Sequence, residues 1–87
     1  MTEIVRNEED MPDGECVEFT VYESPNTKGT FFGYYSFNRQ IAPDQVSFVQ
    51  SDYGVDVTVA FEEAKQFAKN NGIPTILIID PDNLFSE

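Results

Sequence analysis

One stretch of the sequence repeats its apolar residues at the spacing of an α-helix, and it limits the folds open to the chain. The residues at this spacing are Ala60, Phe61, Ala64, Phe67 and Ala68. Asn71-Gly72 predicts the end of this helix, because glycine readily takes the left-handed conformation of a helix terminus. Since the other apolar segments resemble strands, we expect the helix to pack on a sheet.

Four further segments predict strands. Residues 16–22 alternate apolar and polar side chains, which is the period of a half-buried strand. Turn-forming residues 24–29 join them to the aromatic segment 30–37, so this pair predicts an antiparallel hairpin. Residues 46–50 predict a third strand, and the continuous branched apolar run at 75–79 predicts a strand covered on both faces.

Residues 55–59 leave two alternatives open. Val55, Val57 and Val59 alternate with polar residues, as they would in a short fourth strand. The same residues come directly before the helical pattern, where Asp56 or Thr58 would serve as the N-cap.

We therefore predict an α+β domain in β-β-β-α-β order. Its mainly antiparallel sheet has about four strands, and one amphipathic helix packs on one face. Residues 1–14 lack an apolar period and predict an acidic, flexible arm. Residues 15–87 then form the single domain, in keeping with the short chain.

The residue types present argue against an enzyme. The chain has no histidine, so the commonest general base and metal ligand is missing and Cys16 has no imidazole to activate it. Asp80, Asp82 and Asn83 match half of a calcium loop, but a turn after a strand explains the same residues. We expect a non-enzymatic protein with no catalytic residues, no cofactor and no metal.

The charge balance predicts the kind of partner. Sixteen Asp and Glu against five Lys and Arg give a net charge of −11. This acidity suits solubility or a salt-rich host, and it equally suits a surface that binds a basic protein. On the second alternative, the protein is a small interaction module that binds or inhibits a basic protein partner, as DNA-mimic or toxin-neutralising proteins do. The acidic residues predicted to bind the partner are Glu8, Glu9, Asp10 and Asp13.

The aromatic strand predicts a second part of the binding site. Because strand neighbours point to opposite faces, Phe31, Tyr35 and Phe37 share one face, while Phe32 and Tyr34 share the other. A single helix covers one face, and the greater bulk of the three-residue set favours its burial. We therefore predict that Phe32 and Tyr34 are exposed and bind the partner.

A short resemblance supplies an alternative function. The segment Phe32-Gly33-Tyr34-Tyr35-Ser36-Phe37 is similar to the second half of the RNP1 motif of RNA-recognition domains, in which aromatic side chains stack on bases. Thr30-Phe31 stands where that motif has a basic residue and glycine. The resemblance implies weak single-stranded nucleic-acid binding through Phe32 and Tyr34. The net charge opposes binding of a polyanion, so we expect a protein partner rather than nucleic acid.

The sequence also predicts where the protein acts. Residues 1–6 lack the pattern of a secretory signal, and Cys16, the single cysteine, cannot form a disulfide within the chain. The longest apolar run, residues 76–79, is far shorter than the roughly twenty residues that span a bilayer. We expect a cytoplasmic protein that does not bind membranes.

Overall fold

The computed structural model describes residues 2–6 and 15–86, which form one helix and a mixed sheet of six strands. The elements are β1 (Glu3–Val5), β2 (Cys16–Glu23), β3 (Phe31–Ala42), β4 (Gln45–Gln50), β5 (Val55–Asp56), α1 (Val57–Asn70) and β6 (Thr75–Ile79). The predicted α+β class with one helix is confirmed. The predicted sheet is corrected, because it has six strands instead of about four and two of its pairings are parallel.

The strand order explains the mixture of directions. The strands lie in the order β1-β6-β2-β3-β4, and β5 pairs with the first part of β3. The pairings β2/β3 and β3/β4 are antiparallel, as hairpins require, and β5 also runs antiparallel to β3. Helix α1 then carries the chain across the sheet, so β6 enters between β1 and β2 and runs parallel to both.

Strand β1 falls in the segment that the sequence predicted as an arm. Glu3 pairs with Thr75 and Val5 with Leu77, so these residues form an edge of the sheet. Residues 7–14 lie outside the described residues. The predicted partner-binding residues in that segment are Glu8, Glu9, Asp10 and Asp13, and their prediction stays untested.

Both alternatives for residues 55–59 are present in succession. Val55 and Asp56 form β5, and the Asp56 carboxylate then caps α1 by accepting the N–H groups of Thr58 at 3.1 Å and Val59 at 3.4 Å. At the other end, Gly72 has φ = 66°, and Ile73 N–H donates to the Ala68 carbonyl at 2.9 Å. The predicted helix stop is confirmed.

The core lies between α1 and the sheet face that holds Phe31, Tyr35 and Phe37. Phe19 is fully buried there, and its ring centroid is 5.2 Å from that of Phe61. Phe67 stacks on Tyr35 at 5.1 Å. We call this the helix-covered face and the opposite one the second face.

The tail after β6 also packs on the core. The Asp80 carboxylate accepts the backbone N–H groups of Leu84 and Phe85, both at 2.8 Å. The Phe85 ring then lies 5.1 Å from Phe61 and 5.9 Å from Phe19. Asp80 therefore organises a turn that brings the tail back to the core.

Candidate binding surface

Phe32 and Tyr34 both lie on the second face, on the side of β3 that points away from α1. Phe32 lies opposite Tyr22 of β2, and Tyr34 lies opposite Thr20. The Tyr22 ring contacts both aromatic rings, with centroid distances of 5.7 Å to Phe32 and 6.1 Å to Tyr34. Both residues are consequently half-buried, so each presents only part of its ring to solvent.

A loop residue extends this group. Tyr53 lies between β4 and β5, is 64% exposed, and packs edge-on against Tyr34 at 4.8 Å. The backbone N–H of Gly54 donates to the Tyr22 hydroxyl at 2.9 Å, which holds the loop against the sheet. Gly54 has φ = 75°, a conformation that favours glycine. We call Tyr22, Phe32, Tyr34 and Tyr53 the aromatic cluster.

Two members of the cluster, Tyr22 and Tyr53, were not predicted from the sequence. Tyr22 was identifiable in principle, because the hairpin register places it opposite Phe32. Tyr53 follows a polar loop residue and precedes a glycine, so no periodicity indicates where its side chain lies. Its position depends on the turn that leads into β5.

The charges on the second face have one sign. Its strand positions carry the acidic residues Glu3, Glu18 and Asp56, and no Lys or Arg occupies a second-face strand position in the described part of the chain. Val5 and Leu77 are buried on this face. Its exposed part therefore includes the aromatic cluster and continues toward β4.

The cation of β3 points to the helix-covered face and is already paired. Arg39 donates to both carboxylate oxygens of Glu15, from Nε at 2.7 Å and from Nη2 at 2.9 Å, and its guanidinium lies 5.2 Å from the Phe37 ring. The hydrogen bond from Arg39 lowers the pKa of Glu15, and the same bond raises the pKa of Arg39. Arg39 is therefore engaged and does not add positive charge to the aromatic cluster.

One tyrosine of the helix-covered face has a shifted pKa. Burial raises the pKa of the Tyr35 phenol, and the negative charge of Glu63 adds to the shift. Tyr35 therefore stays protonated and neutral through the physiological range, as expected of a core residue.

In the acidic turn after β6, the carboxylate oxygens of Asp80 are bound by other groups of the chain. The Asp80 side chain is only 1% exposed, and besides its two backbone partners it has Arg6 Nη1 at 3.5 Å. Asn83 has φ = 56°, and its N–H donates to the Asp80 carbonyl at 3.1 Å. No cluster of three metal-ligating side chains occurs among residues 2–6 and 15–86. The turn explains these residues structurally.

Comparisons with known proteins give no match: no family model, curated protein or solved structure is significantly similar to this chain. The likeness to RNA-recognition domains is limited to the six residues of the motif, because that family has the order βαββαβ with two helices, whereas the described part of this chain has one helix, which follows β5. In the described part of the chain, no helix is both long and apolar enough to cross a membrane.

Proposed function

We propose that this protein is a non-enzymatic cytoplasmic interaction module that binds a basic protein through the aromatic cluster. The observation that carries this proposal is the convergence of Phe32, Tyr34 and Tyr53 on the sheet face opposite the helix. If binding at this face inhibits the partner, the protein acts as a DNA mimic or a toxin-neutralising protein.

Aromatic side chains of this kind suit a protein interface. Tyr and Phe supply large contact areas and lose little conformational entropy, so they are enriched at the centres of interfaces. In the cluster, Tyr22 supports Phe32 and Tyr34 from the neighbouring strand and holds the loop of Tyr53 through its hydroxyl. The surface is thus organised before binding, which reduces the ordering cost of association.

The charge supports a basic partner. The whole chain carries −11, and the described strand positions of the second face hold carboxylates without a cation. Such a field attracts a positively charged protein over long range and accelerates its association. Rim carboxylates then contribute to rate and specificity, and the aromatic rings supply most of the affinity.

A capture experiment tests the surface. The parent protein, a Phe32→Ala/Tyr34→Ala variant and a Tyr53→Ala variant are immobilised and exposed to host lysate. Val59→Ala is the matched control, because Val59 is an exposed apolar residue on α1. We expect a basic protein that the parent and the control retain and the cluster variants lose. Equal retention by all four proteins would contradict the proposal, provided that circular dichroism shows each variant folded.

Salt dependence tests the electrostatic part separately. Binding should weaken steeply between about 0.05 and 0.5 M salt, as the Debye length falls from roughly 14 to 4 Å. Replacing Glu8, Glu9 and Asp10 with Ser should slow association if those residues contribute. A complex insensitive to salt would exclude a basic partner, and an unchanged association rate would exclude these three acids.

The position of Phe32 and Tyr34 favours one alternative function. Aromatic rings on a sheet face can stack on the bases of single-stranded nucleic acid. A titration with short single-stranded oligonucleotides at low salt, followed by tyrosine fluorescence, separates the two functions. Saturable quenching that is lost in the Phe32→Ala/Tyr34→Ala variant would establish the alternative, whereas no quenching supports a protein partner.

A further inference from the structure

Strand β4 forms one edge of the sheet, and all six of its residues are exposed. Its sequence, Gln-Val-Ser-Phe-Val-Gln, contains neither a charge nor a proline. Val46 is 62% exposed and Phe48 is 58% exposed. Soluble proteins usually protect an edge strand with charges, prolines or bulges, and β4 itself has none of them. An edge of this composition is suited to pairing with another strand.

The hydrogen-bond pattern shows which groups β4 offers. Ser51 N–H, directly after β4, donates to the Tyr35 carbonyl of β3 at 2.9 Å. Backbone groups alternate in direction along an antiparallel pair, so residues 47 and 49 also turn their N–H and C=O toward β3. The N–H and C=O groups of Val46, Phe48 and Gln50 therefore point outward from the sheet.

We propose that a second copy of this chain pairs with that edge, β4 against β4, antiparallel and around a two-fold axis at Ser47. A two-fold axis presents the same edge twice, so the outward N–H and C=O groups of Val46 in each copy pair with those of Phe48 in the other. The two six-stranded sheets then form one continuous sheet.

The side chains favour this register over its neighbour. Centred on Ser47, the pairing sets Val46 opposite Phe48 of the second copy twice, and these aromatic and β-branched pairs stabilise a sheet. A pairing centred on Phe48 instead gives one Phe48–Phe48 pair and sets each Val46 opposite Gln50 of the other copy. Residues 46, 48 and 50 all point to the second face, so the Ser47 register sets apolar side chains opposite each other there, whereas the Phe48 register sets each Val46 opposite a glutamine.

The charges explain why the occupant is a second copy. Two chains of net charge −11 repel each other, and contact is least unfavourable where side chains are uncharged. β4 has no charged residue, and Arg39 next to it is neutralised by Glu15. A basic partner finds no carboxylate on β4 to recognise. The edge therefore fits a copy of itself better than a cationic protein.

Because the two paired chains are both acidic, the dimer should have a characteristic salt dependence. Added salt screens the repulsion between the two acidic chains, so self-association should strengthen as salt rises from about 0.05 to 0.5 M. Binding of a basic partner at the aromatic cluster should weaken over the same range. The two interactions are thus distinguishable by the sign of the salt effect.

Sedimentation velocity tests the proposal. We expect the parent protein to be dimeric and to dissociate on dilution at low salt. Phe48→Lys should be monomeric with an unchanged circular dichroism spectrum, since it sets a charged side chain opposite Val46 of the other copy in place of the phenylalanine ring. Val59→Lys is the matched control and should remain dimeric, because Val59 is similarly exposed but lies on α1. A monomeric parent protein, or a folded Phe48→Lys dimer, would overturn the proposal without affecting the proposed function.

Cross-linking tests the register of the two strands. In a Cys16→Ala background, Ser47→Cys should form a disulfide between copies under mild oxidation. Position 47 is a non-hydrogen-bonded pair in this register, with Cα atoms about 4.5 Å apart, which a disulfide can bridge. Phe48→Cys is the comparison and should cross-link poorly. Cross-linking at 48 but not at 47 would contradict the axis at Ser47.

Discussion

The ring of Phe19 occupies the space that a side chain on Gly33 would need. A Cβ built on Gly33 would lie 2.6 Å from Phe19 Cζ and 3.0 Å from Phe19 Cε1. Phe19 cannot easily turn away, because Phe61 and Phe85 pack against its other sides at centroid distances of 5.2 and 5.9 Å. The absence of a side chain on β3 thus allows a phenylalanine of the neighbouring strand to enter the core.

Gly33→Ala should therefore overpack the core and lower the free energy of unfolding by about 1–3 kcal/mol. Phe19→Leu should relieve part of this cost, so the double variant should be less destabilised than the sum of the two single changes. Urea denaturation of all four proteins measures the coupling. Strictly additive effects would show that the ring of Phe19 is not the obstacle.

The two phenylalanines of α1 should differ in their contribution to stability. Phe61 is buried against Phe19 and Phe85, so Phe61→Ala should cost about 3–5 kcal/mol. Phe67 is only half-buried, so Phe67→Ala should cost less, although both phenylalanines lie at the helical apolar spacing. Val59→Ala, at an exposed position, should change stability by less than about 0.5 kcal/mol. Thermal melts would contradict this order if Phe67→Ala unfolded the protein first.

The packing of the tail after β6 should depend on the carboxylate of Asp80. Asp80→Ala removes the acceptor of two backbone N–H groups and the partner of Arg6, and should cost about 1.5–3 kcal/mol. Asp82→Ala, in the same turn but exposed, is the control and should be nearly neutral. Hydrogen exchange at Leu84 and Phe85 should accelerate only in the Asp80 variant. Equal exchange in both variants would show that apolar contacts alone hold the tail.

The Glu15–Arg39 pair should give a small acid dependence. Because the hydrogen bond from Arg39 lowers the pKa of Glu15 below its ordinary value of 4.5, the folded state holds the ionised form more firmly than the unfolded state does. The stabilisation is present above pH 4.5 and is lost as the pH falls through the lowered pKa. Arg39→Gln should raise the Glu15 midpoint in an NMR titration.

Lys28→Gln is the control for this titration, since it removes a cation that does not contact Glu15. It should leave the Glu15 midpoint unchanged. A midpoint that moved equally in both variants would mean that net charge, instead of the hydrogen bond, sets this pKa.

The sequence patterns predicted those helices and strands that are determined by their own residues and the residues next to them. The helix follows from apolar spacing and the glycine after it, and the hairpin of β2 and β3 follows from alternation around a turn. Strand β6 follows from its continuous branched residues, and its first four residues are indeed buried, on both faces of the sheet. In each case the residues that decide the structure lie within the element or beside it.

Other features depend on contacts between distant segments and could not be predicted in this way. β1 has only three residues, and it is a strand because β6 offers a parallel edge. The end of β3 contains Asn38, Arg39 and Gln40, which have no apolar alternation and are extended because β4 pairs with them. Tyr53 joins the aromatic cluster through a loop whose course the sequence does not indicate.

The place of β6 between β1 and β2 has a consequence for biosynthesis. The ribosome makes β6 after every other element described here, yet β6 supplies the partner for both strands made first. Until Thr75–Ile79 emerges, the nascent chain holds β2 with one unpaired edge and Phe19 without its neighbour Ile78. A chain stalled before this point therefore exposes apolar surface, and chaperones and proteases will act on it before the sheet can close.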